Sequence, residues 1–180
     1  MADATGAPPA GEIDDRLRRR VLWSMPSGLY VVGSAAVGRV NLMTANLVIQ
    51  VATEPKLVAV AIDTSSVTHG LVAQGACFSL SFLSREDRAV VRRFVKPVPA
   101  EEIVTEDGVV VSMAGEAVEL HATGAPVLAR AVAWLDCALR HRLAFASHEL
   151  FVGEVVGVGG PEGDMPPVLR MEDTRMNYGG

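Results

Sequence analysis

Several function classes are excluded by what this chain has little of. It has no basic excess: Lys and Arg number 16 against 21 Asp and Glu, giving a formal net charge of −5. That balance leaves no electrostatic footprint for nucleic acid. Cysteine is scarce, with only Cys77 and Cys137, each in an apolar strand-like stretch. Both read as buried small hydrophobes in a reducing compartment, so a disulfide frame and a zinc site fall away, and no metal is expected. The glycine-rich dinucleotide fingerprint, the P-loop and the GxSxG elbow are absent. There is also no clean membrane span. The uncharged run Val21–Gly38 follows Arg16, Arg18, Arg19 and Arg20, but Pro26, Gly28 and Gly33 interrupt it. The expected location is the cytoplasm.

What is present is apolar residues, 49% of the chain with mean hydropathy +0.29. For a single soluble domain this is high, and it predicts apolar surface buried between subunits. Residues 1–12, mostly Ala, Gly and Pro, read as a disordered tail ahead of one domain spanning 13–180. From Asp14, Leu17, Val21, Leu22 and Met25 recur at helical spacing up to Pro26. Strands are expected at Leu29–Val32, Leu47–Ala52, Leu57–Ile62, Phe78–Phe82, Ala117–Ala122, Ala131–Arg142 and Leu150–Val158. Residues 34–39 read as a glycine-containing turn. Ser84 opens a predicted helix with Val90, Val91, Phe94 and Val95 as its buried stripe, and 100–116 reads as irregular. Gly153, Gly157 and Gly159 suggest bends or bulges. Many short strands in one domain, with two or three inserted helices, predict a closed or partly closed β-barrel.

The most informative stretch runs from Asn41 to Thr68. Two small-polar clusters, Asn41–Asn46 and Asp63–Thr68, flank two apolar strands, and side-by-side pairing of those strands would bring both clusters to one rim. The second cluster opens a helix carrying Val67, Leu71 and Val72, with Gly75 as its expected C-terminal cap. Unpaired N–H groups and the positive dipole end at its start suit a phosphate. Capping of that helix by Ser65 or Ser66 is the plainer alternative.

Taken together these segments resemble the flavin reductase family. The resemblance runs from about Trp23 to Tyr178. It rests on Gly28-Leu-Tyr-Val-Val32, Asn41-Leu-Met-Thr-Ala-Asn46, Glu54-Pro55, Thr68-His69, Gly75-Ala-Cys-Phe78 with Ser79-Leu-Ser-Phe-Leu83, Thr123-Gly-Ala-Pro126, His148-Glu-Leu-Phe-Val-Gly-Glu-Val155 and Asn177-Tyr-Gly-Gly180. It implies a mainly β, FMN-binding split β-barrel of Greek-key type and a homodimer. Met43, Thr44, Ala45 and Asn46 would lie against the flavin ring and ribityl chain. Asp63, Ser65, Ser66 and Thr68 would form the phosphate turn, and His148 would orient the nicotinamide. Leu42 departs from the family's usual glycine and would either narrow the flavin approach or face the core. No lysine stands near 63–69, which leaves Arg85, Arg88, Arg92 or Arg93 to reach the phosphate, or the helix terminus to suffice.

The implied activity is NAD(P)H-dependent reduction of flavin, FMN with FAD as the alternative, by hydride transfer from NADH or NADPH. The family pattern also places such a protein as the small component of a two-component monooxygenase, with an oxygenase as partner. An electron-transfer flavoprotein that retains FMN, or a ferric-chelate reductase, is the alternative from another class. A barrel that has lost flavin binding is the third.

Overall fold

The computed structural model describes residues 14–176. The expected N-terminal tail and the Asn177–Gly180 motif therefore lie outside the described residues. The described residues begin with α1 (Asp15–Trp23), capped by Asp14, whose carboxylate accepts from the N–H groups of Arg16 and Leu17. Eleven strands follow: β1 (Tyr30–Ala36), β2 (Arg39–Ala45), β3 (Val48–Thr53), β4 (Lys56–Asp63), β5 (Cys77–Phe82), β6 (Ile103–Glu106), β7 (Val109–Met113), β8 (Glu116–Leu120), β9 (Pro126–Leu128), β10 (Ala133–Ala144) and β11 (His148–Gly159). The second helix, α2 (Val67–Gly75), lies between β4 and β5.

A seven-stranded sheet has the order β2-β1-β5-β10-β11-β4-β3, and a four-stranded sheet the order β6-β7-β8-β9. All named pairings are antiparallel. The larger sheet is not hydrogen-bonded into a ring: β2 and β3, consecutive in the chain, are its two edges. The mainly β expectation is met, with two α-helices among the described residues.

Two apolar clusters hold the sheets. One joins Leu29, Val31 and Leu42 to Val91, Phe94, Met113 and Leu128, sealing the small sheet against β1 and β2. The other joins Val32, Val60, Ile62, Phe78, Leu80 and Phe151 to Val72 of α2. Each fully buried Leu, Val or Phe contributes on the order of 1.5–3 kcal/mol relative to exposure. Leu42 has no exposed surface, which decides between its two readings: it is core.

Several local expectations are corrected. Residues 84–95 form two 3₁₀ turns, Arg85–Asp87 and Val90–Phe94, and not one helix. Val90, Val91 and Phe94 are nonetheless buried, since burial does not need α-helical bonding, but Val95, the fourth member of the expected stripe, lies past the second turn and is exposed. Residues 100–116 are not irregular, because Asp107-Gly108 turns β6 into β7 with both residues at positive φ. An Asp-Gly pair in that conformation matches the right-handed twist of its flanking strands. Val37-Gly38 does the same between β1 and β2, so the turn is shorter than expected and Ser34–Ala36 are strand.

Gly75 ends α2, but the left-handed cap is Ala76 at φ 53°. Gly75 is required for another reason: a Cβ there would overlap the Ala35 carbonyl oxygen. The late glycines likewise mark close approach. The Phe78 ring and Cys137 Cβ leave no room for a Cβ at Gly153, and the indole of Trp134 leaves none at Gly159. Two of these glycines also border bulges, as expected: the β10–β11 register shifts next to the Asp136–Gly157 and Leu139–Gly153 pairs.

Candidate functional site

The β3–β4 hairpin, turning through the cis Glu54–Pro55 bond, brings the two polar clusters together. Val48 pairs with Val60, and the Ala61 N–H donates to the Leu47 carbonyl at 2.9 Å, so Asn46 stands across from the end of β4. Asn41 on β2 closes the link. Its Nδ2 donates to Thr68 Oγ1 at 2.9 Å, and its Oδ1 accepts from the Val98 N–H at 3.0 Å. Thr44 and Thr68 are both buried, and Thr44 Oγ1 donates to the Val91 carbonyl at 2.6 Å. Ala45 is buried, Met43 and Asn46 are half-buried, and Asn46 borders a cavity of about 590 Å³ beside Ser27, Tyr30, Trp23 and Arg170.

The 63–68 turn is held by its own side chains. Asp63 Oδ1 accepts from the Ser65 N–H at 2.8 Å and from its hydroxyl at 2.6 Å. Those bonds hold the Asp63 carboxyl below the usual carboxylate range. Ser66 caps α2: its Oγ accepts from the His69 N–H at 3.1 Å and donates to the Asp63 carbonyl at 2.8 Å. The capping alternative is therefore realised, by Ser66. Both serine hydroxyl protons are spent within the turn. His148 pairs directly with Asp63 across β11 and β4, and its Nδ1 lies 2.9 Å from Ser147 Oγ.

Of the arginines expected to reach this turn, two are committed elsewhere. Arg85 bonds Asp173, and Arg93 bonds Glu116 and the Ala114 carbonyl. A group the sequence reading missed stands at the same rim. Glu149, nearly buried beside His148, takes a two-pronged contact from Arg142 (Nε to Oε1 2.7 Å, Nη2 to Oε2 2.9 Å). His69 Nε2 lies 2.7 Å from the same Oε2. The Arg142 guanidinium, with help from His69, holds the Glu149 carboxyl down at about 2 against the opposing effect of burial. An ionised carboxylate only accepts, so His69 Nε2 carries the hydrogen. The only sequence signal for this group was the pair of motifs Thr68-His69 and His148-Glu149, which pairing of β4 with β11 makes neighbours.

The flavin reductase like domain model matches residues 22–179, and the chain belongs to that family. It is 33% identical over 159 residues to the NADH-dependent FAD reductase of Streptomyces globisporus, covering 83% of this chain and 80% of that one. The flavin reductase of styrene monooxygenase from Pseudomonas putida S12 superimposes with a TM-score of 0.67 at 27% identity, covering 86% of this chain and 90% of that one. High molecular weight rubredoxin of Moorella thermoacetica is 28% identical over 138 residues, 76% of this chain but 57% of that protein.

Proposed function

We propose that this chain is an NAD(P)H-dependent flavin reductase that takes FMN, with FAD as the alternative flavin. The observation that carries the reading is the junction of the Asn41–Asn46 segment and the 63–68 turn through Asn41 and Thr68. It puts the segments read as the ring-binding and phosphate-binding sites on one rim, as a single elongated ligand needs. The rim also fits a phosphate: the N-terminus of α2, with its positive dipole end, opens there beside the exposed Ser65 and the imidazole of His69.

When bound, flavin supplies the chemistry by accepting a hydride at N5 from the nicotinamide. The protein's part is proximity and orientation. Met43, Thr44, Ala45 and Asn46 form the wall for the ring, with backbone N–H groups of 44–46 toward its polar edge. Asp63, Ser65, Ser66 and Thr68 form the phosphate turn, and His148 orients the nicotinamide. We read the seven-stranded sheet as a split barrel, its split between the edge strands β2 and β3.

A second copy covers the outer face, where Leu47 just before β3, Ile49 and Val51 of β3, and Leu143 and Phe145 near the end of β10 stand exposed. The setting is the cytoplasm, and an oxygenase consumes the reduced flavin.

Oxidation of NADH or NADPH, followed at the nicotinamide band with and without FMN, tests the reading. Turnover that rises with added FMN supports it, and absence of both turnover and flavin binding overturns it. The likeness to a rubredoxin, over 57% of that protein, suggests a second reading as an electron carrier, for which we propose that FMN stays bound and passes electrons to a partner. Flavin retained through desalting, without turnover of free FMN, would favour that reading.

A further inference from the structure

Resting on the phosphate-turn reading above, the geometry points to Arg142 and His69 as the residues that make this protein select phosphorylated flavins, with Glu149 as the positioning residue that holds them. The turn on its own is poorly matched to a dianion. The hydroxyl protons of Ser65 and Ser66 are donated to Asp63, and Asp63 adds an exposed negative charge. A cationic complement is therefore needed. Lys is absent from residues 57–95, and Arg85 and Arg93 are held by Asp173 and Glu116.

Arg142 meets the requirement. Its cross-strand partner is Phe151, and its guanidinium lies 5.3 Å from that ring's centroid. His69, in the first turn of α2, packs its imidazole edgewise on the same ring at 5.3 Å. Both contact the Glu149 carboxylate, so the guanidinium is fixed one side chain away from the helix N-terminus. Two of the five guanidinium N–H groups are used on Glu149. The other three remain, on a side chain 43% exposed. A guanidinium bridging a carboxylate on one edge and a phosphate on the other satisfies all of these at once. Glu149 touches neither ligand nor reacting atoms; it sets the angle of the fork and the rotamer of His69.

The test compares FMN with riboflavin, which differ only in the phosphate, by quenching of flavin fluorescence. Wild-type protein is expected to bind FMN more tightly than riboflavin. Arg142→Gln is expected to weaken FMN by about fivefold or more while riboflavin stays within about twofold, and Arg142→Lys to recover part of the loss. Equal weakening of both flavins, or of neither, overturns the proposal and leaves the flavin reading intact. Should Arg142→Gln fail to fold, His69→Gln, which keeps an N–H towards Glu149, decides by the same ratio: a reduced FMN preference supports the proposal, an unchanged one overturns it. Wild-type protein that binds FMN no better than riboflavin overturns the phosphate-turn reading, and binding of neither overturns the flavin reading itself.

Discussion

The side-chain amide of Asn41 donates to Thr68 Oγ1 across 27 residues of sequence, at 2.9 Å and with both partners buried. Its carbonyl oxygen takes the Val98 N–H at 3.0 Å, so one side chain ties β2 to α2 and to the 97–99 loop. Asn41→Ala should leave the Val98 donor without a partner and cost about 2–4 kcal/mol, whereas Thr68→Val should cost less. The two changes should be non-additive in a double-mutant cycle. Urea unfolding of the four proteins measures this, and strict additivity would show that the bond is not formed.

Two glycines of α2 should respond in opposite ways to alanine. Nothing lies within 4 Å of a Cβ built at Gly70, so Gly70→Ala should stabilise by up to about 1 kcal/mol through helix propensity. Gly75→Ala pushes a methyl into the Ala35 carbonyl of β1 and should destabilise by well over 1 kcal/mol. Thermal unfolding midpoints should move up for the first and down for the second.

Acid should weaken the α2 anchor. Because the Glu149 carboxyl is held at about 2 in the fold, against about 4.3 in an unfolded chain, its contribution is present above the unfolded value. It is lost as pH falls from there towards the folded value. Stability measured by urea between pH 5 and pH 3 should therefore fall with decreasing pH, and Glu149→Gln should make that fall shallower. Asp63 and Asp173, both also held low, keep the residual slope in the variant.

The two thiols should be silent in the native protein. Both are buried, and burial, reinforced by the Asp136 charge, pushes the Cys137 thiol up to about 12. Burial raises Cys77 as well. A chromogenic disulfide reagent at pH 8 should find almost no fast-reacting thiol in the fold and two per chain in denaturant. A rapid native reaction would contradict the packing.

Much of the site was legible because it is local. A serine cap for α2 at Ser65 or Ser66, the apolar strands on either side of Pro55, and the meeting of the two polar clusters all follow from short-range pattern and one hairpin, and the structure selects Ser66. Leu42 was ambiguous, since a strand residue's face is known only when its partners are. The Arg142–Glu149–His69 group could not be assembled from its two motif fragments, for a different reason. Its members lie 7 and 80 residues apart and no motif contains all three.

Periodicity likewise marked Val90, Val91 and Phe94 as buried, and Val95 with them although it is exposed, because it could not distinguish an α-helix from 3₁₀ turns, both of which put residues three apart on one side. By itself, then, the sequence determined the mainly β character, the principal strands and the helix whose start suits an anion. These depend on side-chain alternation and capping, which act within a few residues. Tertiary structure alone decided that Arg142 of β10 and Glu149 of β11 meet His69 of α2. Strand order and register set this, and they bring β10, β11 and β4 side by side only when the apolar side chains of the sheet close over Phe78 and Phe151.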